Sequence, residues 1–222
     1  MRYKIDTAVI YENFEKREFC PFCKIHDMLE NQYVQKYLGE AVMVDEFRQK
    51  VNEKGFCKKH FNMLYQGQNK LGLSLETATR LSYIKKNFIE SVQKPQKFID
   101  NLNNCVICEH INENMERYYE TCAQMYFAEP DFRLLLKEQK GFALEHFANL
   151  LLHAKRAGSM AKEYESELRK IESRYISLLL KDLEEYSDKF DYKNLKTDKP
   201  FNKNAVKNGI NAFVCDTLKG QI

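Results

Sequence analysis

The sequence predicts an all-α protein, and three observations carry that expectation. Along its 222 residues, charged segments bear an apolar side chain every third or fourth position, the period of a helix with one buried face. Turn dipeptides and alternating strand patterns are nearly absent. Gly55, Gly72, Pro95, Gly141, Gly158 and Pro200 punctuate the periodic stretches at intervals suited to helix ends.

A first helix is expected near 6–17 and a second near 21–38, the latter opening on Cys20-Pro21-Phe22-Cys23. The third, near 44–54, stops at Gly55; the fourth, near 57–70, stops before Gly72; the fifth, near 74–93, stops before Pro95. Helices near 106–127, 130–139 and 143–157 follow, the last two ending at Gly141 and Gly158. In the long helix expected at 160–192, Tyr164, Leu168, Ile171, Tyr175 and Leu178, then Leu179, Leu183, Tyr186 and Phe190, form one apolar stripe with a single shift. A lysine-rich stretch from Tyr192 to Lys207 reads as a solvated linker into a short helix near 204–219, with Cys215 on its packing side.

Comparing the chain with itself reveals a repeat at an offset of about 85 residues. Cys20-Pro21-Phe22-Cys23 matches Cys105-Val106-Ile107-Cys108, Tyr33 matches Tyr118, and Phe47-Arg48 matches Phe132-Arg133. After one inserted residue, the run from Lys54 through Gly55, Phe56, Cys57 and His60 to Phe61 matches that from Lys140 through Gly141, Phe142, Ala143 and His146 to Phe147. The expected architecture is therefore two pseudo-repeated helical units, 1–95 and 96–158, capped by a long amphipathic helix and tail at 159–222.

Thirty-five basic and 32 acidic side chains leave a formal charge of +3, too little for a counterion-release argument toward nucleic acid. The opening segment carries Arg2, Lys4 and Asp6 and no apolar run, and no stretch reaches the roughly 18 apolar residues of a membrane span. A cytoplasmic location is expected, where seven cysteines would be reduced and available for metal or thiol chemistry.

The cysteine spacing points to zinc, which takes four tetrahedral thiolate and imidazole ligands, commonly as two close pairs. Cys20 and Cys23 form one pair at a helix start, where free N–H groups favour thiolate. Cys57 and His60, three residues apart on another first turn, form a second pair on one face, with Gly55 permitting the turn into it. The expected first site is thus Cys20, Cys23, Cys57 and His60. In the second repeat Ala143 replaces the cysteine, leaving Cys105, Cys108 and His146 as a three-ligand set that either holds an open metal or has lost one. Cys122, 14 residues beyond Cys108 on one helix, lies ~21 Å away and is excluded. His26 and His110 could support the ligands from behind, and His153 reads as an ordinary helix residue.

The Cys-Pro-Phe-Cys segment also resembles a glutaredoxin active site, but that chemistry follows a hydrophobic strand, whereas charged Glu15-Lys16-Arg17-Glu18 precede it here. Iron–sulfur or haem ligation by the same residues is chemically open. The whole set, with Glu46-Phe47-Arg48, Asp131-Phe132-Arg133, Phe190-Asp191-Tyr192 and the Lys203-Asn204-Ala205 helix, resembles an uncharacterised bacterial family carrying a domain of unknown function. That resemblance spans nearly the whole chain and implies the helical architecture and the Cys/His ligands, with cysteine in both Gly-Phe-Cys-x-x-His elements. Ala143 departs from it, and no reaction is implied.

The expected function is a non-enzymatic zinc-binding helical protein, its metal structural, acting as a binding or adaptor module for a protein or small molecule. The alternative is a metalloenzyme or a thiol or iron–sulfur redox protein using the three-ligand set. The 160–192 stripe is expected to cover the repeats, a homodimer through it being the other use, since a coiled coil wants three or more unbroken heptads.

Overall fold

A computed structural model describes residues 3–91, 94–190 and 201–214, with the backbone alone at Glu40. Among the described residues there are eleven α-helices and no strand. They are α1 (Ala8–Glu15), α2 (Pro21–Leu38), α3 (Asp45–Lys54), α4 (Lys58–Gln66), α5 (Lys70–Ile84), α6 (Pro95–Leu102), α7 (Val106–Ala128), α8 (Pro130–Lys137), α9 (Leu144–Leu152), α10 (Ala161–Lys189) and α11 (Ala205–Val214). Short 3₁₀ turns at Glu40–Met43 and Ala154–Met160 and a π turn at Lys85–Ile89 connect some of them. Of the stretch expected as a linker from Tyr192 to Lys207, residues 192–200 lie outside the described residues, as does Cys215. No helix among the described residues is long and apolar enough to cross a membrane.

Two boundaries differ from expectation for identifiable reasons. Pro95 begins a helix: the preceding helical run stops at Ile89, and Pro95 occupies the first turn of α6, where its missing N–H and fixed φ are tolerated. Gly72 lies inside α5 because Asn69 caps that helix, its side-chain oxygen accepting the Gly72 N–H at 2.8 Å.

The chain packs as two compact units, one formed by 26–114 and the other by 1–25 together with 115–222. Within 26–114, Val34, Tyr37, Val51, Phe56, Leu64, Ile107 and Ile111 form the apolar interior. Tyr37 meets Phe56 edge-on, with ring centroids 5.5 Å apart. Arg80, buried on α5, donates to the carbonyls of Asn52 at 2.6 Å and Glu53 at 3.0 Å, satisfying groups that the end of α3 leaves unpaired. The other unit is built on aromatic packing. Phe14 contacts Phe22 and Phe132 at 5.8 and 5.1 Å, and α10 adds Tyr164, Leu168, Ile171 and Leu179 to the interior. Leu178 and Phe190, expected on the same stripe, are exposed.

Glu76 on α5 is 3 % exposed, and neither carboxylate oxygen has a hydrogen-bond partner. Burial lifts its carboxyl to about 7. The fold then favours the protonated acid, so this contribution to stability is full below pH 4.5 and declines as pH rises through 7. Glu76→Gln is therefore expected to be more stable than the wild type at pH 8, by roughly 3 kcal/mol from the size of the shift, with no such gain at pH 4. Urea melts at the two pH values test this, and an equal difference at both would contradict it.

Candidate metal centre

In the unit 26–114, two helix starts converge. Cys57 caps α4 in an extended conformation (φ −74°, ψ 167°), and His60 follows on the first turn, so the two side chains share a face. Cys105 immediately precedes α7 and Cys108 lies on its first turn. The entries are joined through Gly55, whose carbonyl accepts the Val106 N–H at 3.1 Å. Gly55 has φ +70°, and a Cβ there would stand 2.9 Å from Nε of Arg80, so the position requires glycine for both conformation and space.

The ligating atoms of Cys57, His60, Cys105 and Cys108 all lie within 4.8 Å of one another. Nδ1 of His60 is 3.3 Å from Sγ of Cys57, 3.2 Å from Sγ of Cys105 and 3.4 Å from Sγ of Cys108, and the Cys57 and Cys108 sulfurs are 3.8 Å apart. Zinc bond lengths of ~2.3 Å to sulfur and ~2.05 Å to nitrogen give tetrahedron edges of ~3.8 Å between sulfurs and ~3.6 Å from sulfur to nitrogen. The cluster thus has the size of a zinc coordination shell. Behind it, Nε2 of His60 meets Oε1 of Glu30 at 3.1 Å, and Nζ of Lys59 donates to the same oxygen at 2.5 Å. A carboxylate on the far imidazole nitrogen fixes ring and tautomer in the manner common to metal-binding histidines.

The electrostatics are those of a thiolate and an imidazolium held together, with a carboxylate and an ammonium behind them. The Cys105 thiol is lowered, chiefly because Cys108 donates a hydrogen bond to its sulfur; burial opposes this, and His60 and the N–H groups of Cys108 and Cys57 add to the lowering. Cys108 is raised by the same shared proton. Burial pulls His60 down, yet its hydrogen bonds to Cys105 and Glu30 outweigh that and carry it up to about 10. Burial likewise opposes ionisation of Glu30, and the hydrogen bonds from His60 and Lys59 overcome it, bringing it to about 2. A divalent cation binding here would displace the protons of His60 and Cys108, since its ligands must be neutral imidazole and thiolate.

The remaining three residues form a second cluster in the other unit. Cys20, Cys23 and His146 have ligating atoms within 4.8 Å of one another, and all three are buried. The Cys20 N–H donates to the Gly141 carbonyl at 3.3 Å, the counterpart of the Val106 to Gly55 bond. A Cβ on Gly141 would fall 2.3 Å from the Tyr175 ring, so glycine is again needed for close approach. Cys20 is pushed up to about 12 by burial, although the N–H groups of Ala143, Cys23 and Phe22 donate to its sulfur. In addition, Nδ1 of His146 lies 2.5 Å from the Tyr119 hydroxyl.

This grouping corrects the expected pairing. Cys20 and Cys23 do not join Cys57 and His60; they join His146, while Cys105 and Cys108 join Cys57 and His60. Helix length explains the exchange. The 18 residues of α2 rise ~27 Å, whereas the 10 residues of α3 recover ~15 Å on the way back. The chain therefore reaches His60 beside Glu30, in the middle of α2, and the start of α7 supplies the other two thiols.

Cys122 belongs to neither cluster; its sulfur accepts from the Tyr164 hydroxyl at 3.5 Å. His110 stacks on Tyr33 at 5.0 Å, and His153 contacts the Asn149 carbonyl at 2.9 Å and stacks on Tyr119. Sequence reasoning missed Glu30 and Tyr119. At the sequence offset of about 85 residues Glu30 matches Met115 and Tyr119 matches Val34, and those mismatches were the available signal. Glu30→Gln is expected to weaken zinc binding by about 10- to 100-fold. Competition with a chromophoric chelator measures this, and unchanged affinity would remove Glu30 from the site.

No curated protein and no solved structure matches the chain. Residues 1–219 match the family of unknown function DUF6062, and the chain belongs to that family.

Proposed function

We propose that this protein is a zinc-stabilised helical module, with Cys57, His60, Cys105 and Cys108 holding one structural ion and no catalytic role. One observation carries the reading. Four soft donors from two helix starts surround a common point at zinc-like spacing, with Glu30 fixing the imidazole from behind. Four protein ligands close the coordination shell, as structural sites do and catalytic sites do not. The ion would join the start of α4 to the start of α7 through the buried Cys105 and His60 and the half-buried Cys57 and Cys108.

The same reading takes the chain as an ancient duplication. Each repeat supplies a Cys-x-x-Cys pair at the start of a long helix and a Gly-Phe element before a short one, and the ligand pairs are exchanged between repeats. We further propose a cytoplasmic setting, where thiols stay reduced, and a binding or adaptor role toward a protein or small molecule. Enclosure of Cys20, Cys23 and His146, at 0, 2 and 5 % exposure, speaks against an exchangeable substrate position there.

Elemental analysis of protein purified without affinity-tag metals tests the proposal. Zinc is expected at one equivalent per chain and is expected to vanish in Cys57→Ala. Fully folded, metal-free protein that takes up no zinc would overturn it, and a coloured preparation would direct the ligands to iron instead.

A further inference from the structure

We propose that the cavity lined by α10 and α11 binds a short apolar peptide with both ends free, its carboxylate held at the Arg174 end and its ammonium at the Asp182 end. The inference rests on the binding role proposed above and gives it a ligand class. None of its residues belongs to the unit 26–114, so zinc content and peptide affinity fail separately.

The cavity has a volume of about 540 Å³, within the range of small-ligand sites, and belongs wholly to the unit formed by 1–25 and 115–222. Three residues of α10 set its character. Arg174, Leu178 and Asp182 follow one another at four-residue steps, so they share a face of the helix, and all three line the cavity. A cation, an apolar side chain and an anion therefore stand in a row, the outer two ~12 Å apart along the axis. An extended tripeptide separates its terminal charges by ~10 Å.

Both charges lack partners of opposite sign. Arg174 donates one N–H to the Gln139 carbonyl at 2.7 Å, and among the described residues neither it nor Lys140, which follows Gln139 and also lines the cavity, pairs with a carboxylate. Of the two acids lining the cavity, Glu138 is taken by Arg17 at 2.5 Å. Asp182 accepts from the Asn202 amide at 2.5 Å and, among the described residues, meets no cation.

The walls suit the body of such a ligand. The Tyr175 ring stacks on Phe19 with centroids 5.1 Å apart and is backed by Gly141, where a Cβ would fall 2.3 Å from it, so the ring is fixed before a ligand arrives. Leu178, 57 % exposed, adds apolar surface that a ligand would cover. From α11, Asn208 and Asn211 line the cavity three residues apart, on one face. Asn211 is 9 % exposed, and its Oδ1 has no hydrogen-bond partner among the described residues. A buried amide oxygen without a donor is costly, and a peptide N–H would supply one.

Calorimetric titration of the full chain with the tripeptide alanyl-leucyl-alanine, its N-acetylated form and its C-terminal amide tests the inference. The free peptide is expected to bind with a dissociation constant on the order of 100 µM, from its size, and each blocked form about tenfold more weakly or worse. In the double variant Arg174→Gln, Lys140→Gln the gap between free peptide and amide is expected to close, and in Asp182→Asn the gap between free and acetylated peptide. Leu178→Trp, at an exposed position, fills the cavity and is expected to abolish binding, with circular dichroism confirming the helical fold. Absence of binding to the folded wild type would overturn the inference, as would a blocked form that binds as tightly as the free peptide, gaps that persist in the folded charge variants, or unchanged affinity in folded Leu178→Trp. Should a variant not fold, the three peptides compared on the wild type decide the matter alone.

Discussion

Removing the ion, by chelator or by Cys108→Ser, is expected to lower the melting temperature by about 10–20 °C. The magnitude follows from the chemistry of the cluster. Structural zinc contributes apparent free energies of about 10–16 kcal/mol in small peptides that have no other core. Here residues such as Tyr37, Phe56 and Ile107 form a core of their own, so a loss on the order of 5 kcal/mol is expected, and each kcal/mol moves a domain of this size by about 2–4 °C. The loss should be local. Hydrogen exchange is expected to accelerate across 26–114, the unit holding Cys57, His60, Cys105 and Cys108, while amides of α10 stay protected by the aromatic interior around Tyr164. Uniform loss of protection along the chain would show that the ion is not confined to that unit.

Arg80→Met is expected to destabilise the protein by about 3 kcal/mol, a fall of about 6–12 °C, and to weaken zinc binding as well. Arg80 is 8 % exposed and its guanidinium donates to the Asn52 and Glu53 carbonyls and to the Asn101 side-chain oxygen at 2.6 Å, so one cation closes the last turn of α3 and fastens it to the end of α6. Methionine fills the volume and removes those bonds, leaving the Asn52 carbonyl without its Arg80 donor while the Glu53 carbonyl keeps only the Asn101 amide. The effect on metal follows from position: Nε of Arg80 packs against Gly55, whose carbonyl holds the start of α7 and which directs the chain into Cys57. Arg80→Lys should lose most of the same stability, since one ammonium cannot match the planar fork. Calorimetry on both variants checks this, and melting within about 2 °C of wild type would refute the capping role.

The helical class and the seven clustered Cys and His residues were legible because both depend on local signals: period, punctuation and short spacing. The pairing of the ligand sets was not. It depends on how far α2 rises against how far α3 returns, a difference of helix lengths that spacing between motifs does not express. Glu30 was hidden for a related reason. An acidic residue on an amphipathic helix reads as solvated until the helix that packs beside it delivers His60 and Lys59 to its carboxylate. Pro95 was read as a stop because proline ends one helix as readily as it opens the next, and only the α6 backbone decides between them. Tyr119 lay in plain view as a mismatch with Val34, but its meaning required knowing that position 119 faces His146.

X-ray absorption at the zinc edge, on protein that has never met an affinity-tag metal, addresses the metal centre most directly. Three sulfur donors at ~2.3 Å and one nitrogen at ~2.0 Å are expected, the shell that Cys57, Cys105, Cys108 and His60 supply. Two sulfur donors, the number available from Cys20 and Cys23, or a shell of oxygen and nitrogen alone, would contradict it.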